Sequence, residues 1–176
     1  MIRKMCYIGD KILREKCKPI NEITPEILRI AQELVQTMQA HNGLGLAAPQ
    51  IGYNLRMFAI QISDEVDEDN YPKDAPPQIL INPIITKFSK KKMILSEGCL
   101  SIPGLHEDVV RPQSIDVEAL DISGNKFIEK DLKHWRSRCI QHECDHLDGI
   151  LFIDRLPAAL KKIHDEELKA IEAKFK

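Results

Sequence analysis

The sequence lacks a long apolar run and a clear excess of charge of either sign, and its number of cysteines is odd. No stretch approaches the roughly 18 apolar residues of a membrane-spanning helix, and the start, MIRKMCYIGD, has no apolar segment typical of a secretion signal. The 25 lysines and arginines nearly balance the 27 aspartates and glutamates, which argues against charge-driven binding to nucleic acid or to an anionic membrane. We therefore expect a cytoplasmic protein with no membrane partner and no direct sequence-specific nucleic-acid binding.

The five cysteines do not suggest a disulfide framework, because their number is odd and no secretion signal precedes them. A cysteine with a function would then act as a thiolate. Cys6, Cys17, Cys139 and Cys144 are each expected to be small buried apolar residues. Cys99 is the exception, because of the segment around it.

The length of 176 residues corresponds to about one domain, large enough to bury roughly 70% of its unfolded surface. Strand patterns that do not alternate with helices predict an α+β fold with mainly antiparallel sheet. The acidic segment 64–77 is expected to be a solvated loop. Helices are predicted over 24–41, 131–147 and 158–174, and strands over 56–62, 79–81, 84–88, 93–95, 115–120 and 126–128.

The most specific motif is His142-Glu143-Cys144-Asp145-His146, an HExxH sequence on the second predicted helix. At roughly 100° per residue, the two histidines differ by about 40° around the helix axis, so both imidazoles can bind one metal ion. Glu143 lies about 100° round from His142, which favours contact with a water molecule at the metal over direct ligation. The motif therefore predicts a metal site with an acid/base carboxylate beside it.

The third metal ligand decides the class of protein, since a catalytic metal needs three protein ligands and an open position. An HExxHxxGxxH protease is excluded because Phe152 stands at the last histidine position. A peptidase with a carboxylate ligand from a later helix would use Glu166 or Glu167. The other candidate is Cys99 in the segment EGCLS (97–101). A structural metal module would need a fourth protein ligand, and no further cysteine or histidine has ligand spacing.

A third segment, GLGLAAPQ (43–50), consists of small residues and ends in an amide. It lacks the spacing of a phosphate-binding loop. Small residues of this kind suggest a close-packed wall beside a ligand, where Gln50 could donate a hydrogen bond to an oxyanion.

The segments GLGLAAPQ, EGCLS and QHECDHLDG (141–149) together resemble the three motifs of the peptide deformylase family, in the same order and spacing. The similarity extends over about residues 1 to 157. It implies an α+β fold in which mainly antiparallel sheets pack around a central helix that carries the HExxH motif. It also implies removal of the formyl group from the N-terminal formyl-methionine of newly made polypeptides, with release of formate, by an enzyme that uses Fe²⁺ (Ni²⁺ or Zn²⁺ can substitute).

The resemblance also implies a role for each matching residue. Cys99, His142 and His146 match the metal ligands, and Glu143 matches the general acid/base. Gln50 and the backbone N–H of Leu100 match the two donors that stabilise the oxyanion. Gly45 matches a position whose backbone binds the substrate, and Leu44 matches the wall of the methionine pocket. His134 departs from the pattern, since glycine is usual there. Glu97 and Arg111 are either a pair that braces the EGCLS turn or two unrelated surface charges.

We expect residues 1–157 to form the catalytic domain and residues 158–176 to add a C-terminal helix to the same domain. In some relatives such a helix docks on the ribosome. Transient ribosome docking is therefore one candidate role for this helix, and an ordinary solvated helix is the other.

Overall fold

Four α-helices and seven strands account for most of the part of the chain that the computed structural model describes, residues 1–63, 65–68, 71–73 and 75–175. Asp64, Asp69, Asn70 and Asp74 of the acidic segment, and Lys176, lie outside the described residues. The helices are α1 (Pro25–Ala40), α2 (His134–Leu147), α3 (Ala158–Ile163) and α4 (Asp165–Phe175). The strands are β1 (Gly45–Ala47), β2 (Met57–Ile60), β3 (Gln78–Phe88), β4 (Lys92–Cys99), β5 (Ile102–Pro112), β6 (Ile115–Leu120) and β7 (Lys126–Leu132).

The strands form two antiparallel sheets, as predicted for an α+β fold. One sheet has five strands in the order β1-β2-β3-β6-β7, and the other is the β4-β5 hairpin. Two segments predicted as separate strands, 79–81 and 84–88, are one continuous strand, β3. The apolar pattern breaks between them because the pairing with β6 shifts register between Ile81 and Ile84, at a bulge that contains Asn82 in a left-handed conformation.

Strand β2 is buried on both faces and lies between α1 and α2. Phe58 and Ile60 belong to the core cluster that includes Ile140 of α2. Met57 and Ala59 belong to the cluster formed with α1. Since side chains alternate across a strand, a strand covered by helices on both faces is apolar at every position. The HExxH helix therefore packs against the centre of the fold.

Helix α1 confirms the predicted helix closely. The Thr24 side chain accepts a hydrogen bond from the backbone N–H of Ile27 at 3.3 Å, as an N-cap does. Pro25 occupies the first helical position.

The predicted start of α2 at Asp131 is wrong. Asp131 and Leu132 belong to β7, because Leu132 pairs with Ile115 of β6 and is buried in the core. The chain turns through left-handed backbone at Asp131 and at His134, and α2 begins at His134.

The single C-terminal helix predicted over 158–174 is two helices that meet at His164. Leu168 of α4 is 8% exposed and packs in a core cluster with Leu13 and Phe152. Helix α4 therefore lies against the body of the protein. None of the helices in the described residues is long and apolar enough to cross a membrane.

Candidate active site and metal centre

Cys99, His142 and His146 lie together at the end of β4 and on one face of α2. One donor atom from each of these residues lies within 4.8 Å of the others, so the three form a candidate metal site, called the metal cluster. The Cys99 Sγ and the His146 Nε2 are 3.2 Å apart. Cys99 reaches this position because the β4-β5 pairing shifts register between Gly98 and Cys99, where the hairpin turns.

This donor set fits a divalent transition metal. A thiolate and two imidazoles are ligands of zinc, iron and nickel, and three protein ligands leave a coordination position open. Burial holds the pKa of His146 well below its ordinary value, so its ring is in the neutral form that binds metals. Burial by itself would lower the pKa of His142. The hydrogen bonds with Cys99 and Glu97 have the larger effect, so the pKa of His142 is raised above its ordinary value. The Glu97 carboxylate would also stabilise a bound cation.

Glu97 holds His142 in place. Its side chain is 4% exposed and accepts hydrogen bonds from Arg111 at 2.6 and 2.9 Å and from Arg138 at 2.8 Å. The Nδ1 of His142 lies 2.9 Å from Glu97 Oε2 and donates to it, so Nε2 is left to face the metal cluster. Burial would raise the pKa of Glu97, but the hydrogen bonds from Arg111 and His142 outweigh it and hold the pKa far below its ordinary value. Of the two alternatives for Glu97 and Arg111, the pair is the one present, and it is buried.

Glu143 is buried beside the metal cluster, and its hydrogen-bonding capacity is only partly used. Its Oε2 has no hydrogen-bond partner among the described residues. Burial raises the pKa of Glu143 to about 7. A carboxylate in these surroundings can take and return a proton near neutral pH.

Gly45 of β1 lies directly against this carboxylate. A Cβ at residue 45 would stand 2.6 Å from Glu143 Oε1 and 2.8 Å from Cys139 Sγ, so only glycine fits without displacement. The strand β1 is also an edge of the five-stranded sheet.

Gln50 presents its amide nitrogen to the cluster. Its Oε1 accepts from the backbone N–H of Ala47 at 2.8 Å. Its Nε2 donates to Ser101 Oγ at 3.1 Å and lies 3.5 Å from Cys99 Sγ. The acceptor side of the amide is therefore occupied, and the donor side points towards the place where a reacting group would sit.

One cavity of about 820 Å³ brings the predicted site residues together. Its lining includes Leu44, Gly45, Gln50, Cys99, Leu100, His142 and Glu143. His146 completes the metal cluster and is buried. Four further aromatic residues line the same cavity without having been predicted there: Tyr7, Tyr71, Trp135 and Phe175. Trp135 also packs in part against the core cluster that includes Ile140.

The alternative ligands lie elsewhere. Glu166 pairs with Lys169 on the exposed side of α4, and Glu167 contacts His164. In the part of the chain that the structure describes, the donor group around Cys99 contains three residues and no fourth. The arrangement is that of a catalytic site, and neither a carboxylate-ligated peptidase nor a closed structural metal site fits it.

An HExxH helix inside an antiparallel α+β fold, with a buried carboxylate beside three candidate ligands at a cavity, is typical of a metal-dependent hydrolase. Comparison with known proteins narrows the class. The family model described as polypeptide deformylase matches residues 2–162. The chain belongs to the polypeptide deformylase family, whose metal-dependent enzymes remove the N-terminal formyl group of newly made polypeptides and release formate.

Similar proteins cover nearly all of the chain. A peptide deformylase of Picosynechococcus sp. is 47% identical over 150 residues, which is 85% of this chain and 76% of the relative. Among solved structures, a plant peptide deformylase has a TM-score of 0.87 at 37% identity and covers 98% of this chain and 90% of its own. A peptide deformylase from Ehrlichia chaffeensis has a TM-score of 0.85 at 34% identity and covers 97% of this chain and 96% of its own. The predicted family, fold and activity are confirmed.

Proposed function

We propose that Cys99, His142 and His146 hold the catalytic metal and that Glu143 is the general acid/base of deformylation. The observation that carries this proposal is the group of three donor atoms within 4.8 Å of one another, next to a buried carboxylate with an unpartnered oxygen. We further propose that the ion is Fe²⁺, for which Ni²⁺ or Zn²⁺ can substitute, because one thiolate and two imidazoles suit these borderline ions. When bound, such an ion supplies Lewis acidity and lowers the pKa of water to about 7.

Glu143 moves the proton in this mechanism. It takes a proton from the attacking water, whose oxygen bonds to the formyl carbon. As the carbon–nitrogen bond breaks, Glu143 passes that proton to the leaving amine. The products are a free methionine N-terminus and formic acid, which loses its remaining proton to become formate. General acid/base catalysis of this kind contributes about 10²–10⁴ to the rate.

Gln50 and Leu100 stabilise the negative charge on the formyl oxygen. The Nε2 of Gln50 is already oriented towards Cys99 by the bond between its Oε1 and Ala47. The backbone N–H of Leu100, the residue after Cys99, is the second donor. Each donor of an oxyanion pair contributes about 10²–10³ to the rate.

Gly45 and Leu44 bind the substrate. The edge strand β1 allows an extended peptide to add alongside Gly45 through backbone hydrogen bonds. Leu44 is 44% exposed and offers an apolar wall for the methionine side chain. Formyl-Met peptides should therefore be better substrates than formyl-Gly peptides, and equal kcat/KM values would contradict this assignment.

Two variants separate the ligand role from the acid/base role. Glu143→Gln keeps the side-chain shape and removes the base, so bound metal should stay near the wild-type amount while formate release falls by roughly 10²–10⁴. His146→Gln should lose the metal itself. Metal content by elemental analysis and formate release are measured on both variants. A metal-free Glu143→Gln protein, or one with near-normal turnover, would overturn the mechanism.

The identity of the metal has its own test. Protein purified without oxygen is analysed for its metal content, and samples loaded with Fe²⁺ or Ni²⁺ are then exposed to hydrogen peroxide. The iron form should lose activity much faster, because peroxide oxidises the Fe²⁺ ion together with the Cys99 thiolate. Equal rates for the two forms would contradict the joint oxidation of Fe²⁺ and the Cys99 thiolate, whereas protein purified without oxygen that contains no iron would contradict iron as the native metal.

The C-terminal helices are proposed to belong to the same domain as residues 1–157. The buried Leu168 and its packing with Leu13 support this assignment. Transient docking of α4 on the ribosome remains a prediction, and co-sedimentation of the full chain with ribosomes tests it.

A further inference from the structure

Helix α4 ends at the cavity that contains the metal cluster. The ring of Phe175 stacks on the ring of Tyr7, with centroids 3.8 Å apart and planes inclined by 19°. Both residues line the same cavity as Cys99 and Gln50. The two ends of the chain thus form an aromatic pair at the catalytic cavity, and neither residue has a part in the chemistry described above.

The Phe175 side of this pair is held by the packing of α4. Leu168 is buried in the core. One turn later, the side chain of Glu172 packs so closely over Gly9 that a Cβ at residue 9 would lie 2.5 Å from the Glu172 Cγ. At the start of α4, the His164 Nε2 lies 2.6 Å from Glu107 Oε1 of β5. Contacts along the whole helix therefore fix the position of Phe175.

The Tyr7 side is attached to the catalytic residues. The backbone N–H of Cys6 donates to the carbonyl of Gln50 at 2.8 Å, and that of Ile8 donates to the carbonyl of Ser101 at 2.9 Å. These two hydrogen bonds flank Tyr7 and connect it to Gln50 and Ser101. The side chains of Gln50 and Ser101 are themselves joined by the bond from Gln50 Nε2 to Ser101 Oγ. The aromatic pair is therefore positioned relative to the reacting centre and forms a fixed, mainly apolar part of the cavity wall.

We propose that Tyr7 and Phe175 form an apolar subsite for the side chain of the second or third substrate residue. This inference rests on the proposed function, because a polypeptide whose formyl-methionine is held at the metal cluster must leave the cavity along its walls. Two stacked rings bury more apolar surface against an apolar or aromatic side chain than against an acidic one. The C-terminal helix thereby takes part in substrate selection.

Peptides that vary one position at a time test the proposal. The two sets are formyl-Met-X-Ser and formyl-Met-Ala-X, where X is Phe, Leu or Asp, and kcat/KM is measured from formate release. In the wild type, Phe and Leu should be preferred over Asp at one of the two positions. Phe175→Ala should reduce that preference about three- to tenfold, in line with the usual contribution of an aromatic contact.

The control variant is Ile163→Ala, since Ile163 is a 71% exposed apolar residue of α3 outside the cavity lining. It should keep the wild-type preference. Phe175→Leu retains an apolar side chain and should retain most of the preference. Tyr7→Ala removes the other ring of the pair and should reduce the preference as Phe175→Ala does, so it answers the question even if Phe175→Ala unfolds. An unchanged ratio in folded Phe175→Ala or Tyr7→Ala, or an equal loss in Ile163→Ala, overturns the subsite. Absence of formate release from every peptide by the metal-loaded wild type would instead contradict the proposed function.

Discussion

Replacement of Glu97 by alanine should strongly destabilise the protein, because this carboxylate is the centre of a buried charge network. It accepts from Arg111 at 2.6 and 2.9 Å, from Arg138 at 2.8 Å and from His142 at 2.9 Å. The side chains of the two arginines are 4% and 5% exposed. In Glu97→Ala they would lose their shared partner while remaining out of water.

Removal of one partner of a buried ion pair costs about 3–5 kcal/mol. That loss is a large part of the roughly 5–15 kcal/mol that stabilises a typical domain. For a chain of this length, each kcal/mol corresponds to about 2–4 °C in Tm. Glu97→Ala should therefore melt about 6–20 °C below the wild type. Arg111 also donates to Asp145 at 2.6 Å, and this bond would keep part of the network in the variant. We therefore expect the loss of Tm to fall in the lower half of the range of about 6–20 °C.

The assay is thermal and urea unfolding followed by circular dichroism, on metal-loaded and on chelator-treated protein. The control is Glu118→Gln, which removes an exposed ion pair with Lys126 at 3.0 Å and should cost less than about 1 kcal/mol. Glu97→Ala should also bind metal about 10- to 100-fold more weakly, since His142 Nδ1 loses its acceptor. A Glu97→Ala protein as stable as Glu118→Gln would refute the reasoning.

Three more predictions follow from local geometry. Gly45→Ala should lower kcat/KM at least tenfold, because its Cβ would displace the Glu143 carboxylate, and assay of formate release checks this. His134→Gly should raise the free energy of unfolding by about 0.5–1 kcal/mol in urea titrations, because His134 has φ 47° and glycine tolerates that conformation. Hydrogen bonds with Glu107 and Glu167 raise the pKa of His164, so its stabilising contribution is complete below about pH 6.5 and is lost as the pH rises through the raised value. The Tm difference between wild type and His164→Gln should accordingly be larger at pH 5.5 than at pH 9, and a difference that grows with pH would contradict this.

The features that the sequence by itself determined are those set by local geometry. The HExxH spacing places His142 and His146 on one helix face whatever surrounds the helix, because the α-helical repeat alone sets their angle. The Thr24 cap and the apolar face of α1 are likewise local, and so the helix was predicted almost to its ends. The order of the three motifs was also enough to indicate the family.

The tertiary structure decided everything that depends on contacts between distant segments. Cys99, Glu166 and Glu167 were all open as the third metal ligand. Only the β4-β5 hairpin brings Cys99 next to His142 and His146, while Glu166 and Glu167 pair with Lys169 and His164. The strand β5 was not predicted, because Pro103, Gly104 and charged residues interrupt any alternation in a segment that pairing with β4 nevertheless makes a strand. The boundary between β7 and α2 likewise follows from the pairing of Leu132 with β6.

The aromatic pair at the cavity is the clearest case of this kind. Tyr7 and Phe175 lie at opposite ends of the chain, and neither belongs to a recognisable motif. The stacking occurs together with the contact between His164 and Glu107 and the burial of Leu168, both of which involve residues far away in the sequence. Side-chain burial and hydrogen bonding between distant segments are properties of the folded chain, so no local pattern of residues could have predicted that the C-terminal helix lines the catalytic cavity.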